Sequence, residues 1–149
     1  MCENGVFPSA YLDDCIGQPL SSVAALLFRP SDGSGGPAPD REGVSICFGD
    51  RTVVLHASTD LSTIRVYAGG FSLDLRGGFT ESEYSTEDVS NHAPFDRFRN
   101  SPLTNWWVLR NNQGYHDGIM LALGYRAGLC FVAMNNELSV MVVEGEQFS

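Results

Sequence analysis

The residues best suited to chemistry lie in one segment, WWVLRNNQGYHDG at 106–118. Tyr115, His116 and Asp117 are adjacent there, and Trp106 opens the segment. A histidine and a carboxylate can move protons, and an exposed aromatic side chain can anchor a protein partner. Consecutive strand residues point to opposite faces, so we do not expect His116 and Asp117 to act as a pair. Asp117 either bonds the amides of the turn or presents its carboxylate to a ligand or partner.

A second group of titratable side chains is acidic and consists of Glu81, Glu83, Glu87 and Asp88. Paired carboxylates can perform acid-base chemistry. This segment is polar, however, and we expect it to be exposed, which favours a solvated charge cluster. Such a cluster would steer a basic partner toward the protein. Together with Trp106, Tyr115, His116 and Asp117, these acids are the candidate partner-binding residues.

No pattern in the sequence indicates an enzyme or a metal site. The motifs GxSxG and HExxH, the Walker loop and a strand-linked GxGxxG are all missing. The histidines His56, His92 and His116 and the four cysteines do not have the paired spacing of zinc ligands. The sequence therefore predicts a protein with no catalytic residues, no metal and no cofactor.

The charge balance limits the classes of partner. The chain has nine arginines, no lysine and eighteen acidic residues, with a formal net charge of −9. Such a surface repels phosphate backbones and anionic lipids, so we expect neither nucleic-acid nor membrane binding. No apolar run reaches the roughly 20 residues of a membrane span. The first residues lack the features of a secretory signal, and a cytoplasmic location is predicted.

The elements that position these residues follow a pattern that occurs twice. The segments GVSICFGDR at 43–51 and GIMLALGYR at 118–126 align without gaps at an offset of 75. Their glycines, alternating apolar residues and terminal arginines coincide. One extra residue changes the offset to 76, at which the apolar positions of 53–66 match those of 129–142. We interpret the match as an internal duplication, the alternative being a chance likeness of amphipathic hairpins.

Each half of the chain predicts a meander of four strands. Approximate repeats lie at 16–68 and 99–144, each with a Pro-Leu pair near its start, within a single domain at 1–149. Alternation of apolar residues places strands at 20–29, 44–48, 52–57, 63–68, 103–110, 115–123, 129–134 and 138–143. Short helical turns are predicted at 10–16 and 94–100, a flexible loop at 31–43 and an edge strand at 71–76.

These elements predict a mainly β fold, of the α+β type with short helices. A four-stranded sheet must bury one face. The two meanders are therefore expected to form a pseudo-twofold sandwich or to close into a barrel. The segment 80–101 gives the weakest signal.

Three segments together resemble a family of small bacterial proteins known only as a domain of unknown function: IGQPLSSV at 16–23, VSICFGDRTVVLHASTDLSTIRV at 44–66 and WWVLRNNQGYHDGIMLAL at 106–123. The third segment is similar to the W-x-L-x-N-x-Q-G-Y-x-D-G hairpin of that family, from Trp107 to Gly118. The resemblance covers most of the chain and departs from the family at 31–43 and 80–101.

The resemblance implies no catalytic residues, because none are known for the family. Proteins of this kind are similar in size and acidity to immunity proteins encoded beside bacterial toxins. This analogy predicts a non-enzymatic protein-binding module, such as an acidic cytoplasmic inhibitor that occludes a basic toxin. Two alternatives stay open. One is a homo-oligomeric or complex-forming structural subunit that uses an exposed strand edge, and the other is a small-ligand-binding domain with a cavity near His116 and Asp117.

Overall fold

The computed structural model describes residues 9–29, 40–57, 63–69, 84–112, 114, 116–134 and 137–145. These residues form one α-helix, one 3₁₀ turn and nine strands. In chain order they are α1 (Ser9–Cys15), β1 (Leu20–Phe28), β2 (Asp40–Phe48), β3 (Arg51–Ala57), β4 (Ile64–Ala68), β5 (Tyr84–Asp88), the 3₁₀ turn (Phe95–Phe98), β6 (Leu103–Arg110), β7 (His116–Leu123), β8 (Ala127–Met134) and β9 (Glu137–Glu144).

The strands form two antiparallel sheets. The first sheet has the order β4-β3-β2-β1-β5, and the second has the order β6-β7-β8-β9. Both sheets contain a four-stranded meander, so the prediction of a mainly β fold built from two such meanders is confirmed. The barrel alternative is wrong, because the sheets remain open at their edge strands and do not close on each other.

The core lies between the sheets and follows from the alternation of apolar residues. Ile46 and Leu55 from the first sheet belong to the same buried cluster as Leu121 and Phe131 from the second. Strand β2 packs against β9, and β4 packs against β7. Period-2 alternation gives each sheet one continuous apolar face, and burial of these two faces stabilises the sandwich.

The short helical turns predicted near 10–16 and 94–100 are confirmed as α1 and the 3₁₀ turn. Each contributes two buried side chains, Leu12 and Cys15 from α1 and Phe95 and Phe98 from the 3₁₀ turn. The phenylalanines follow Leu12 and Cys15 at the same offset of 83. A helical turn that covers the core therefore precedes each meander.

The segment that leads into β1 is hydrogen-bonded to the segment that leads into β6, and the bonds are equivalent in the two halves. Pro19 forms an isolated antiparallel bridge with Pro102. The amide of Leu20 donates to the Ser101 carbonyl at 2.9 Å, and the amide of Leu103 donates to the Gln18 carbonyl at 3.0 Å. At the offset of 83, Leu20 corresponds to Leu103 and Gln18 corresponds to Ser101, so each bond is the counterpart of the other. The pseudo-twofold axis therefore passes close to the two Pro-Leu pairs.

Both meanders have a β-bulge at the same place. In the pairing of β1 with β2, Leu26 lies opposite Gly43 and Leu27 lies opposite Arg41, which leaves Glu42 as the extra residue. In the pairing of β6 with β7, Asp117 is the extra residue before Gly118 in the same way. An acidic bulge residue followed by glycine is thus part of the repeated unit.

The last strands of the halves correspond at an offset of 74, and the predicted offset of 76 is wrong there. Ile64 pairs with Ala57 in the first sheet, and Leu138 pairs with Ala133 in the second. Six residues separate Ala57 from Ile64 and four separate Ala133 from Leu138, so the first segment is two residues longer. A two-residue slip preserves which side chains face the core, so the apolar pattern alone could not reveal it.

The strands differ most from the predicted ones in two places. Strand β5 was not predicted, and it pairs with β1 to make a fifth strand in the first sheet. Four of its five side chains, 85–88, are exposed, so it has no apolar alternation to detect. Strand β2 begins at Asp40, so 40–43 of the predicted loop are strand. The remainder of that loop, 31–39, and the predicted strand at 71–76 lie outside the described residues.

Candidate functional site

The bulge in β7 separates the residues that the sequence singled out for chemistry. His116 and Asp117 are both half-buried, and Tyr115 lies outside the described residues. The Nε2 atom of His116 lies 3.0 Å from an Nη atom of Arg110 on the neighbouring strand. Asp117 is the extra residue of the bulge. The contact of His116 with Arg110 joins β6 to β7 at this end of the sheet. It does not bring His116 and Asp117 together in one site.

Two of the four candidate acids are described, and both are exposed on the edge strand β5. Glu81 and Glu83 lie outside the described residues. Asp88 accepts hydrogen bonds from the Ser90 hydroxyl at 2.6 Å and the Ser90 amide at 2.9 Å. These bonds hold the pKa of the Asp88 carboxyl below its ordinary value of 3.8. Asp88 thus has a local structural role, and Glu87 presents its carboxylate to solvent.

We expect Asp88→Asn to remove a pH-dependent part of the stability. A carboxyl with a depressed pKa in the folded state stabilises the fold above its unfolded value, near 3.8, and this contribution is lost as the pH falls through the folded value. The difference in unfolding midpoint between wild type and variant should therefore be present at neutral pH and shrink below pH 3.8. Thermal unfolding from neutral to acidic pH measures it, with Glu87→Gln as the control. A difference that is constant with pH would contradict this role.

The two tryptophans lie on opposite faces of β6. Trp106 is half-buried against the core, and its Nε1 donates to an oxygen of Asp13 on α1 at 2.9 Å. Trp107 points to the other face and is 37% exposed. Of the two, Trp107 is the exposed aromatic residue of the kind that anchors a protein partner. Trp106, the predicted anchor, links α1 to the second sheet through this hydrogen bond.

Trp107 belongs to a surface that we call the outer face, the side of the second sheet turned away from the core. It consists of three cross-strand rows of four residues each. The rows are Asn105, Ala122, Gly128 and Val143; Trp107, Met120, Cys130 and Met141; and Leu109, Gly118, Val132 and Ser139.

The outer face has no charged residue among its twelve positions, and all but Asn105 and Ser139 are apolar residues or glycine. Met141 is 51% exposed, and Met120 is half-buried beside Trp107. Cys130, at the centre, is buried, and burial raises the pKa of its thiol. The central row therefore places a tryptophan, two methionines and a thiol side by side.

Part of the corresponding face of the first sheet is buried within the chain. Leu26, Val54 and His56 occupy the positions of Leu109, Cys130 and Val132, and each of these three first-sheet residues is no more than 3% exposed. Phe28 is buried on the same side, with its ring 5.1 Å from that of Tyr84 on β5. Ala24 and Ser45, which occupy the positions of Trp107 and Met120, are half-buried. The second half leaves Trp107 and Met141 exposed.

A carboxylate and an imidazole are buried together on the first sheet. Glu42 Oε1 lies 3.6 Å from His56 Nε2, and the side chains are 2% and 3% exposed. Such a pair has the groups for acid-base chemistry. Sequence reasoning missed it because Glu42 follows a Gly/Pro-rich stretch. The match of Glu42-Gly43 to Asp117-Gly118 at the offset of 75 was the available signal.

Other candidate sites among the described residues are weak. An open groove of about 410 Å³ between β1, β2 and β9 is lined by Leu27, Arg41, Glu137, Leu138, Ser139 and Val140. Neither His116 nor Asp117 lines it. Within the described ranges, no three His, Cys, Asp or Glu side chains are grouped to hold a metal ion. No helix in this part of the chain is long and apolar enough to cross a membrane.

Comparison with known proteins confirms the resemblance to a family of unknown function. A model of the family of unknown function DUF6334 matches residues 1–147. The chain belongs to this DUF6334 family. No curated protein and no solved structure matches the chain. In this DUF6334 protein, Trp107, Leu109 and Gly118 all lie on the outer face.

Proposed function

We propose that this DUF6334 protein is a non-enzymatic protein-binding module that receives its partner on the outer face of the second sheet. The observation that carries the proposal is the partly exposed row of Trp107, Met120, Cys130 and Met141 in the middle of an uncharged surface. Tryptophan and methionine are enriched in protein interfaces, and charged residues are depleted at their centres.

The chemistry of the central row suits a protein partner better than a small ligand. A flat sheet face cannot enclose a small molecule, whereas ligand sites are concave. Trp107 offers a large rigid anchor, and the methionines can adapt their side chains to an apposed surface. The carboxylate and imidazole of the Glu42–His56 pair are both buried.

An acidic cytoplasmic immunity or inhibitor protein that occludes a basic toxin is a finer form of this proposal. The net charge of −9 and the exposed Glu87 on β5 support it. An acidic field would speed the approach of a basic protein. Under this form the partner is basic, and its binding weakens as salt screens the attraction.

Affinity capture tests the proposed function. The wild-type protein serves as bait in a lysate of its source at low salt, beside the double variant Trp107→Ser/Met141→Ser. Tyr125→Ser is the matched control, because Tyr125 is 70% exposed in the β7–β8 turn and lies off the outer face. We expect wild type and control to retain the same stoichiometric protein and the double variant to lose it. A wash at about 0.5 M salt then identifies a basic partner by its release.

Equal retention by the wild type and the double variant would show that the outer face is not the binding surface. The folded state of the double variant is checked by its circular dichroism spectrum and its unfolding midpoint. Both substitutions are at exposed positions, so we expect either to change stability by no more than about 1 kcal/mol.

A further inference from the structure

We infer that the partner of the outer face is a second copy of this chain, packed face to face through the same three rows. This inference rests on the proposed function and names the partner of that surface. The charge of the outer face, its area and the difference between the halves of the chain support it.

Charge favours a second copy over a basic protein at this surface. The chain has a net charge of −9, yet the twelve residues of the outer face have none. A basic surface would lose its hydration against this face without gaining an ion pair. Two copies of the face, in contrast, match each other in polarity, and the carboxylate of Glu137, on the same side of β9, lies beyond the third row. The repulsion between two chains of like charge then acts only at long range.

The area of the outer face fits a reversible dimer. Four strands about 4.8 Å apart and three rows about 7 Å apart span about 400 Å² in projection. Two such faces together bury about 800 Å² before residues at the rim are counted, which is below the roughly 1,200 Å² at which stable complexes begin and within the range of weak, transient ones. A contact of this size with a tryptophan and two methionines at its centre predicts a dissociation constant in the micromolar range.

The first half of the chain shows that part of this side of the meander can be buried. Three of its equivalent positions, Leu26, Val54 and His56, are buried within the chain, and Ala24 and Ser45 are half-buried. The second half has apolar residues at the corresponding places but leaves Trp107 and Met141 exposed. Face-to-face packing of two second sheets would cover them by the same kind of sheet-on-sheet contact that forms the core. A twofold axis through the face makes the contact self-complementary and closed.

Sedimentation velocity of the purified protein over a range of concentrations, in the presence of a reductant, tests the inference. We expect a monomer–dimer equilibrium that salt strengthens, because salt screens the repulsion between the chains and leaves the apolar contact intact. Trp107→Ser/Met141→Ser should weaken the dimer about tenfold or more, and Tyr125→Ser should leave it unchanged. A dimer weakened by salt would overturn the inference.

The other outcomes separate this inference from the proposed function. A monomer at all concentrations, together with capture of another protein that the double variant fails to retain, would overturn self-association and leave the protein-binding function standing. A dimer that persists in the double variant would place the contact elsewhere and overturn the inference. A monomer that captures nothing would overturn both.

Discussion

Gly43→Ala should destabilise the protein by about 3 kcal/mol, because a Cβ at this position collides with the neighbouring strand. The added atom would lie 2.6 Å from the carbonyl oxygen of Leu55 and 3.4 Å from the ring of His56. The oxygen belongs to the backbone of β3, so strands β2 and β3 must move apart to relieve the contact. Gly118→Ala is the equivalent change in the second sheet, where the Cβ would lie 2.8 Å from the Phe131 carbonyl oxygen.

The sign of the change in the free energy of unfolding distinguishes this collision from an ordinary replacement of glycine by alanine. Where the backbone permits a side chain, alanine in place of glycine stabilises a protein by restricting the unfolded chain. Equilibrium unfolding in urea gives the free energies of wild type, Gly43→Ala and Gly118→Ala. Ser45→Ala on the same strand is the control, because it adds no atom. Glycine variants as stable as wild type would contradict the close approach of the strands.

The repeated meander could be predicted from the sequence because its signals are local and periodic. Alternating apolar residues mark each strand, and the turn glycine Gly49 adopts a positive φ of 63° between β2 and β3. Strand β5 gives no such signal, since an edge strand of five residues can form through backbone hydrogen bonds to β1 alone. Its position depends on tertiary pairing, which period-2 reasoning does not detect.

The candidate site was less accessible to sequence reasoning, because it depends on the pairing of distant strands. Trp106 and Trp107 are neighbours, and alternation alone does not say which of them faces the core. The bulge between Leu103 and Asn105 fixes the register that places Trp107 beside Met120. Cys130 and Met141 then complete the row through two further strand pairings. Only the assembled sheet shows that these four side chains form one surface.

The buried Glu42–His56 pair should have the other large effect on stability. Removal of one member by His56→Leu leaves the Glu42 side chain inside the protein without this imidazole, 3.6 Å away in the wild type. Breaking a buried pair from one side typically costs about 3 to 5 kcal/mol, and we expect a loss in this range. The double variant Glu42→Leu/His56→Leu should recover most of it, because well-packed apolar residues often replace a buried pair without cost.

A double-mutant cycle from urea unfolding measures the coupling between Glu42 and His56. The second half of the chain supplies the control, because Asp117 occupies the equivalent bulge position and Val132 occupies the position of His56. Asp117→Leu removes a half-buried carboxylate that has no imidazole at this position, and we expect it to change stability by less than about 1 kcal/mol. Additive single losses at Glu42 and His56 would show that the pair is not coupled. A strong coupling would mean that the duplicated bulge carries a buried polar contact in the first sheet alone, where part of the outer side is buried.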